Sequence, residues 1–180
     1  MRTVEPGQDR KVAALTFKFS CALFLFLYGD YMKDEYMKLA LKEAEKAFFE
    51  DEVPVGAVIV KDNKVLAMTH NEKEKRKCSI FHAEMLAIEE ACKKINNWRL
   101  EDCDMYITLN PCPMCASAIK QSRIKNVYCG LTNSDVENTL VVEKIFSADN
   151  TNPSVNFETN LCVEEVSSLL KKFFSSKRIK

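Results

Sequence analysis

Three side chains that commonly bind metals stand in two short motifs, separated by a predicted helix and a predicted strand. His82 opens the sequence His-Ala-Glu, and Cys112 and Cys115 belong to the sequence Pro-Cys-Pro-Met-Cys. One imidazole and two thiolates leave the fourth position of a tetrahedral Zn²⁺ site open for water, as in catalytic zinc sites. Glu84 lies two residues after His82, close enough to move protons to and from that water. The sequence therefore predicts a catalytic site with one zinc ion per chain.

The two motifs fall at the predicted starts of two helices. Apolar residues recur every three or four positions after His82 and predict the core-facing side of the first helix: Met85, Ile88, Cys92 and Ile95. His82 and Glu84 are then expected in the first turn, facing a pocket rather than the core. Asn110 is a favourable N-cap for the second helix, and the proline after it suits the first helical position. Cys112 and Cys115 would share one side of the first turns, where the helix amides favour thiolates.

The remaining periodic segments alternate between helix and strand patterns. A helix is predicted over residues 34–50 with one apolar face, and Glu43 is expected to lie off that face. A final amphipathic helix is predicted from Val163 onward. The predicted strands cover residues 54–60, 64–68, 104–109, 126–130 and 155–159. Residues 131–154 give the weakest signal, with a short helix expected at 141–146.

Residues 1–31 differ in composition from the rest and form an N-terminal extension. Their uninterrupted apolar run, residues 21–28, is far shorter than the roughly 20 residues that a membrane-spanning helix needs. Three interpretations stay open: sequence upstream of a true start at Met32, a segment with weak membrane association, or an additional packed element. The catalytic domain is therefore predicted to cover residues 32–180, with no stable membrane association.

The charged residues balance to a formal net charge of zero, so overall charge does not predict nucleic-acid binding. Local basic clusters occur at residues 75–77, 120–125 and 177–180. Each cluster is either a solvated surface or a set of contacts for phosphate groups.

The chain has eight cysteines, a number that would allow a disulfide framework. Cys92 and Cys103 lie in ordinary helix and strand segments, however, and Cys112 and Cys115 are better explained as metal ligands. This placement predicts a reducing compartment, the cytoplasm.

The complete pattern, H-x-E followed by P-C-x-x-C, is typical of zinc-dependent nucleobase deaminases. Longer segments resemble the bacterial tRNA-specific adenosine deaminase family (TadA), beginning with Glu-Val-Pro-Val-Gly-Ala-Val-Ile-Val at residues 52–60. The other segments that carry the resemblance are residues 70–71, 82–84, 97–100, 111–115, 122–124 and 169–174. The resemblance covers residues 34–178 and is weakest at 131–154.

The resemblance implies a cytidine-deaminase-like α/β fold, with three α/β/α layers and a central mixed five-stranded sheet. It also implies a homodimer that converts the wobble adenosine of a tRNA anticodon to inosine. By position, His82, Cys112 and Cys115 would bind Zn²⁺, Glu84 would transfer protons and Asn71 would hold the base.

His70 and Asn71 follow the predicted hairpin. His70 is not expected to bind the metal, because His82 and the two cysteines already complete a three-ligand set. Asn71 either closes a turn or reads the edge of a base, since a carboxamide donates and accepts hydrogen bonds in one plane.

Three features depart from the pattern of the family. Asn110 stands where the family usually has glutamate, so different hydrogen bonds are expected in the pocket. Residues 131–154 lack glycine, which is expected to alter the substrate-facing loop and the dimer contacts. Phe81 replaces a typically small residue and is expected to narrow the pocket.

Two alternatives remain, because the same chemistry serves other substrates. The chain could deaminate a free base or nucleotide of guanine or cytosine type, or it could be a non-catalytic RNA-binding partner subunit. The basic clusters favour a polynucleotide substrate, since a flipped base needs phosphate contacts around the pocket that a free base does not. Glu84 argues against a non-catalytic subunit, because only a reaction needs a proton-transferring carboxylate.

Overall fold

The computed structural model describes residues 31–132, 136–148 and 152–177. The chain divides into two compact units after Glu35, and the sheet with its packed helices belongs to the second unit. Apart from residue 31, the predicted N-terminal extension lies outside the described residues, as does the end of the basic tail, residues 178–180.

A mixed five-stranded sheet forms the centre of the second unit. Its strands are β1 Gly56–Lys61, β2 Lys64–His70, β3 Cys103–Leu109, β4 Asn126–Leu131 and β5 Asn156–Glu158. The order across the sheet is β2-β1-β3-β4-β5. Strand β1 runs antiparallel to β2 and β3, whereas β3, β4 and β5 are parallel to one another. The predicted hairpin is confirmed, and its turn residues Asp62 and Asn63 both have positive φ, as a tight hairpin turn requires.

Helices cover both faces of the sheet and confirm the predicted three-layer arrangement. The helices are α1 (residues 31–49), α2 Lys73–Arg76, α3 Ala83–Ile95, α4 Pro113–Gln121, α5 Val136–Ser147 and α6 Val163–Lys177. Helices α3, α4 and α5 share the main core with one face of the sheet. On the other face, Tyr36 of α1 packs on Tyr106 with ring centroids 5.2 Å apart, and Val166 of α6 packs against Gly130. Within the described residues, the helices are too short or too polar to cross a membrane.

Helix α1 lies directly against the start of β1 at Gly56. A Cβ atom at this position would lie 2.0 Å from the Ala40 carbonyl oxygen and 2.7 Å from the Ala44 backbone nitrogen. Both contacts are with backbone, which cannot move aside as a side chain can. Only glycine therefore allows this approach of helix and strand.

Glu43 does not lie off the buried face of α1, so that prediction is wrong. Its side chain is only 2% exposed. One carboxylate oxygen accepts a hydrogen bond from Lys46 Nζ at 2.6 Å, and the other lies 2.9 Å from His70 Nδ1. Two basic partners offset the cost of burying this carboxylate, and a periodicity count cannot reveal them.

The predicted core-facing side of α3 is also shifted. Ile88, Cys92 and Ile95 pack against the core but are only partly buried. The fully buried residues of the helix are Ala83, Glu84, Leu86, Ala87 and Ala91. Small alanines bring α3 close to the sheet, whereas the larger apolar residues lie towards its edge.

Lys120, predicted in a basic cluster, is neither solvated nor available to phosphate. It is 4% exposed, and its ammonium group donates to the carbonyls of Ile145 at 2.7 Å and of Ala148. These carbonyls lie at the C-terminal end of α5. The last carbonyl oxygens of a helix have no N–H partner within the helix itself. Lys120 therefore stabilises the end of α5 from the neighbouring helix.

Candidate active site

The N-termini of α3 and α4 bring the three predicted metal ligands together. His82 is the N-cap of α3, Cys112 is the N-cap of α4, and Cys115 lies in the first turn of α4. His82 Nδ1 is 3.5 Å from Cys115 Sγ and 3.8 Å from Cys112 Sγ, and the two sulfurs are 3.6 Å apart. Asn110 does not cap α4 as predicted, because the helix begins two residues later, with Cys112 as its N-cap and Pro113 as its first residue.

The spacing of these three atoms fits a tetrahedral zinc site. With Zn–S bonds of about 2.3 Å and a Zn–N bond of about 2.0 Å, tetrahedral ligand atoms lie about 3.5–3.8 Å apart. His82 and Cys112 have extended backbones, and neither side chain makes a capping hydrogen bond to its own helix. Both side chains are thus free to bind a metal ion, and the group can hold one.

The electrostatics of the site favour the thiolate form of Cys112. A hydrogen bond from the Cys115 thiol lowers the pKa of Cys112 to about 4. Burial opposes this shift, and His82 adds to it. The same hydrogen bond, together with burial, raises the pKa of Cys115. Contact with Cys112 raises the pKa of His82 against the opposing effect of burial. Two helix N-termini next to the sulfurs supply further positive potential.

Glu84 lies in the first turn of α3 and lines the same cavity as His82 and Cys112. It is only 3% exposed, so it is more deeply buried than the sequence predicts. Burial raises the pKa of the Glu84 carboxyl, against the opposing effect of a backbone hydrogen bond and of His82. A carboxyl group in this position can act in turn as a base and as an acid.

The cavity measures about 380 Å³, a size that suits a small molecule or a single nucleobase. Its lining combines apolar walls with polar groups: Val53, Val55, Asn71, Lys73, His82, Glu84, Leu109, Asn110, Cys112 and Asn138. Phe81 is not among them, so the expectation that it narrows the pocket is wrong. The Arg76 guanidinium lies over the Phe81 ring instead, 4.6 Å from its centroid.

Sequence reasoning missed Lys73 and Asn138 as cavity residues. Lys73 lies two residues before the basic cluster predicted at residues 75–77. Asn138 comes from α5, in the stretch with the weakest sequence signal, and its Nδ2 donates to the Pro111 carbonyl at 3.5 Å. No local pattern indicates Asn138, because its position depends on how α5 packs against α4.

Asn71 is 8% exposed and joins two separate segments. Its Nδ2 donates to the Val53 carbonyl at 3.0 Å, and its Oδ1 accepts from the Ala83 N–H at 2.9 Å. A carboxamide can make about four hydrogen bonds, so these two leave further capacity towards the cavity.

Asn110 is buried beside the cavity, as expected of a pocket residue. Its Nδ2 donates to Thr139 Oγ1 at 3.3 Å, and its Oδ1 has no hydrogen-bond partner among the described residues. Asn110 therefore ties α5 to the cavity wall.

His70 lies outside the ligand group, as predicted. It forms a second group of potential ligands with Glu50 and Glu72. Lys75 Nζ already neutralises this group, at 3.0 Å from Glu50 and 3.4 Å from Glu72.

Known proteins resemble this chain over most of its length. The family model of MafB19-like deaminases matches residues 31–178. A tRNA-specific adenosine deaminase from Aquifex aeolicus is 41% identical over 146 residues, covering 81% of this chain and 96% of that protein. The corresponding protein from Bacillus subtilis is 40% identical over 145 residues, covering 81% and 90%. This chain belongs to the tRNA-specific adenosine deaminase family.

A solved structure extends the family relationship to the fold. It comes from studies of A-to-I editing by tRNA:A34 deaminases at the wobble position of transfer RNA. It shares 35% sequence identity with this chain at a TM-score of 0.70, covering 76% of this chain and 99% of its own. The three-layer fold of this chain is therefore consistent with its membership of the tRNA-specific adenosine deaminase family.

Proposed function

We propose that this chain hydrolyses the wobble adenosine of a tRNA anticodon to inosine and ammonia. One observation carries the proposal: the buried Glu84 lies beside the His82, Cys112 and Cys115 group in a cavity of nucleobase size. The relatives named above act as deaminases of adenosine in tRNA by their names, and the chain covers nearly the whole length of each.

The metal in this proposal is one Zn²⁺ ion per chain, held by His82, Cys112 and Cys115. Bound there, the ion would lower the pKa of a water molecule towards about 7 and so make it nucleophilic at neutral pH. The described residues supply three ligands and not a fourth, which would leave the fourth tetrahedral position for that water.

Glu84 carries the protons of the reaction. Its carboxylate takes a proton from the water that attacks C6 of adenine and delivers it to the ring nitrogen N1. A second proton passes by the same carboxylate to the exocyclic amine, which leaves as ammonia while the C6 carbonyl of inosine forms. One carboxylate is sufficient because it acts in turn as base and as acid.

Asn71 and the apolar walls hold the base in this proposal. The Asn71 carboxamide can make further hydrogen bonds, and it makes them to the polar edge of the base. Val53, Val55 and Leu109 line the cavity and contact the flat faces of the base, which also excludes bulk water. Two backbone hydrogen bonds hold Asn71 in one orientation before substrate binds, which reduces the ordering cost of binding.

A second copy of the chain is the partner that we propose for the exposed apolar residues near the cavity. These are Met114 at the start of α4 and Val136, Leu140 and Val141 on α5. Apolar residues clustered on one surface favour association. Light scattering of the parent is expected to give the mass of a dimer, and Leu140→Glu is expected to give the mass of a monomer.

The cytoplasm is the proposed compartment. The described cysteines are all unpaired, which is typical of proteins in a reducing environment: Cys78, Cys92, Cys103, Cys112, Cys115, Cys129 and Cys162.

A substrate comparison tests the proposed reaction. The zinc-loaded protein is incubated separately with an anticodon stem-loop carrying a wobble adenosine, with adenosine, with guanine and with cytidine monophosphate. Inosine in the stem-loop, at a kcat/KM far above that for any of the small molecules, is the expected result. Ammonia from guanine or cytidine monophosphate with an unchanged stem-loop would contradict it, and so would RNA binding with no deamination at all.

A further inference from the structure

We propose that Lys73 binds a phosphate group of the RNA next to the deaminated nucleotide, at the rim of the catalytic cavity. This inference rests on the proposed RNA substrate and adds the residue that holds the backbone of that substrate. The sequence leaves residues 75–77 open as either a solvated surface or phosphate contacts, and Lys73 lies just outside that cluster.

Two of the three cations of the predicted cluster, Lys75 and Arg76, are engaged within the protein. The third, Lys77, does not line the catalytic cavity. Lys75 Nζ pairs with Glu50 at 3.0 Å and with Glu72 at 3.4 Å. Arg76 Nε lies 2.5 Å from Glu72, and the Arg76 guanidinium also covers the Phe81 ring. Carboxylates already compensate these two positive charges, so a phosphate would have to compete with them.

Lys73 differs from these two residues in position and in partners. It is exposed, and within the described residues its ammonium group has no hydrogen-bond or ion-pair partner. Lys73 is also the one lysine or arginine among the described residues that line the cavity. A free positive charge therefore stands at the boundary between the catalytic cavity and solvent.

The phosphate groups of an RNA substrate explain why a cation such as Lys73 stands at the rim of the cavity. A base that enters the cavity leaves its own ribose and phosphates at the rim, because the backbone is too large and too charged to follow it. A lysine ammonium is a compact point charge on a flexible stem, and it binds phosphate without a fixed geometry. A free purine base has no phosphate, so this contact would also favour RNA over a free base.

The test measures RNA binding separately from the reaction. The dissociation constant of the anticodon stem-loop is measured against salt concentration in the Glu84→Gln background, with and without Lys73→Gln. Loss of one phosphate contact on a single strand lowers the slope of log affinity against log salt by about 0.7. Lys73→Gln is expected to show this reduced slope, and Lys73→Arg is expected to keep the parental slope.

Lys64→Gln is the matched control. Lys64 is equally an exposed lysine, but it is the first residue of β2, next to the β1–β2 turn and at the far end of the hairpin from the cavity. Its replacement removes the same charge and is expected to leave the slope unchanged. Equal slopes for Lys73→Gln and Lys64→Gln would overturn the role of Lys73.

Turnover measurements separate this inference from the proposed function. With Glu84 intact, Lys73→Gln is expected to raise KM for the stem-loop several-fold at low salt and to leave kcat almost unchanged. An active parent whose salt slope does not respond to Lys73→Gln overturns the phosphate contact and leaves the deaminase assignment in place. A parent that neither binds nor deaminates the stem-loop overturns both.

Discussion

The side-chain oxygen of Asn71 accepts a hydrogen bond from the backbone N–H of Ala83, with the two atoms 2.9 Å apart. Ala83 is the first residue of α3, and its N–H is one that a helix cannot satisfy internally. An N-cap side chain accepts from the second or third residue of a helix, so the Ala83 N–H needs an acceptor from elsewhere in the chain. Asn71 supplies that acceptor and holds the start of α3 directly after His82, a proposed metal ligand.

Replacement of Asn71 by alanine is expected to lower the free energy of unfolding by about 1–3 kcal/mol, because buried backbone groups lose their partners. Asn71→Asp keeps an acceptor for Ala83 but cannot donate to Val53, so a smaller loss is expected. Urea unfolding followed by circular dichroism measures both variants. A stability of Asn71→Ala equal to that of the parent would contradict the proposed support of α3.

Replacement of Cys115 by serine is expected to reduce bound zinc from one equivalent per chain to well below one, because a soft thiolate is lost. Cys103→Ser is the control, since Cys103 is equally buried but lies at the start of β3, away from the ligand group. Metal analysis after exhaustive dialysis gives the zinc content. Full zinc content in Cys115→Ser would contradict the assigned ligand set.

Replacement of Lys120 by methionine is expected to cost about 1–3 kcal/mol of stability, because the carbonyls of Ile145 and Ala148 lose a charged donor. Lys125→Met changes an exposed residue of the same predicted cluster and is expected to change the stability by less than about 0.5 kcal/mol. Thermal unfolding of both variants compares them directly. Similar losses in the two variants would show that Lys120 does not stabilise α5.

Replacement of Gly56 by alanine is expected to destabilise the protein by about 3 kcal/mol or more, at the upper end of overpacking costs. The added methyl group would meet the backbone of α1 at Ala40 and Ala44, so the helix must shift away from β1. Chemical denaturation and the yield of folded protein measure the effect. A Gly56→Ala protein as stable as the parent would mean that α1 does not approach β1 this closely.

Local signals explain why much of the fold could be predicted from the sequence. The hairpin carries its own turn chemistry at Asp62 and Asn63, which adopt positive φ. The alternation in β3 is less informative, because this strand lies between β1 and β4 with helices on both faces. Tyr106 and Thr108, which alternate with Met105 and Ile107 along this strand, are buried as well.

The candidate site also contains some residues that the sequence indicates and others that it does not. His82, Glu84, Cys112 and Cys115 form a short pattern with fixed spacing, so the sequence indicates them directly. Contacts between distant segments leave no such pattern. The partners of Glu43 and Lys120, and the entry of Asn138 into the cavity, depend on how whole helices pack. The sequence therefore indicates the reacting groups better than the residues that support them.

The central claim is that this chain hydrolyses the wobble adenosine with Glu84 as the proton carrier. Deamination in water labelled with the heavy oxygen isotope tests it most directly. The zinc-loaded parent and Glu84→Gln are each incubated with a stem-loop whose wobble nucleotide is adenosine, and the RNA is then analysed by mass spectrometry. The parent is expected to give inosine that carries the heavy oxygen at the wobble position. Glu84→Gln is expected to be slower by a factor of about 10²–10⁴, since its side chain cannot transfer protons. Unchanged adenosine with a parent that holds zinc, or inosine formed equally fast by Glu84→Gln, would contradict the account.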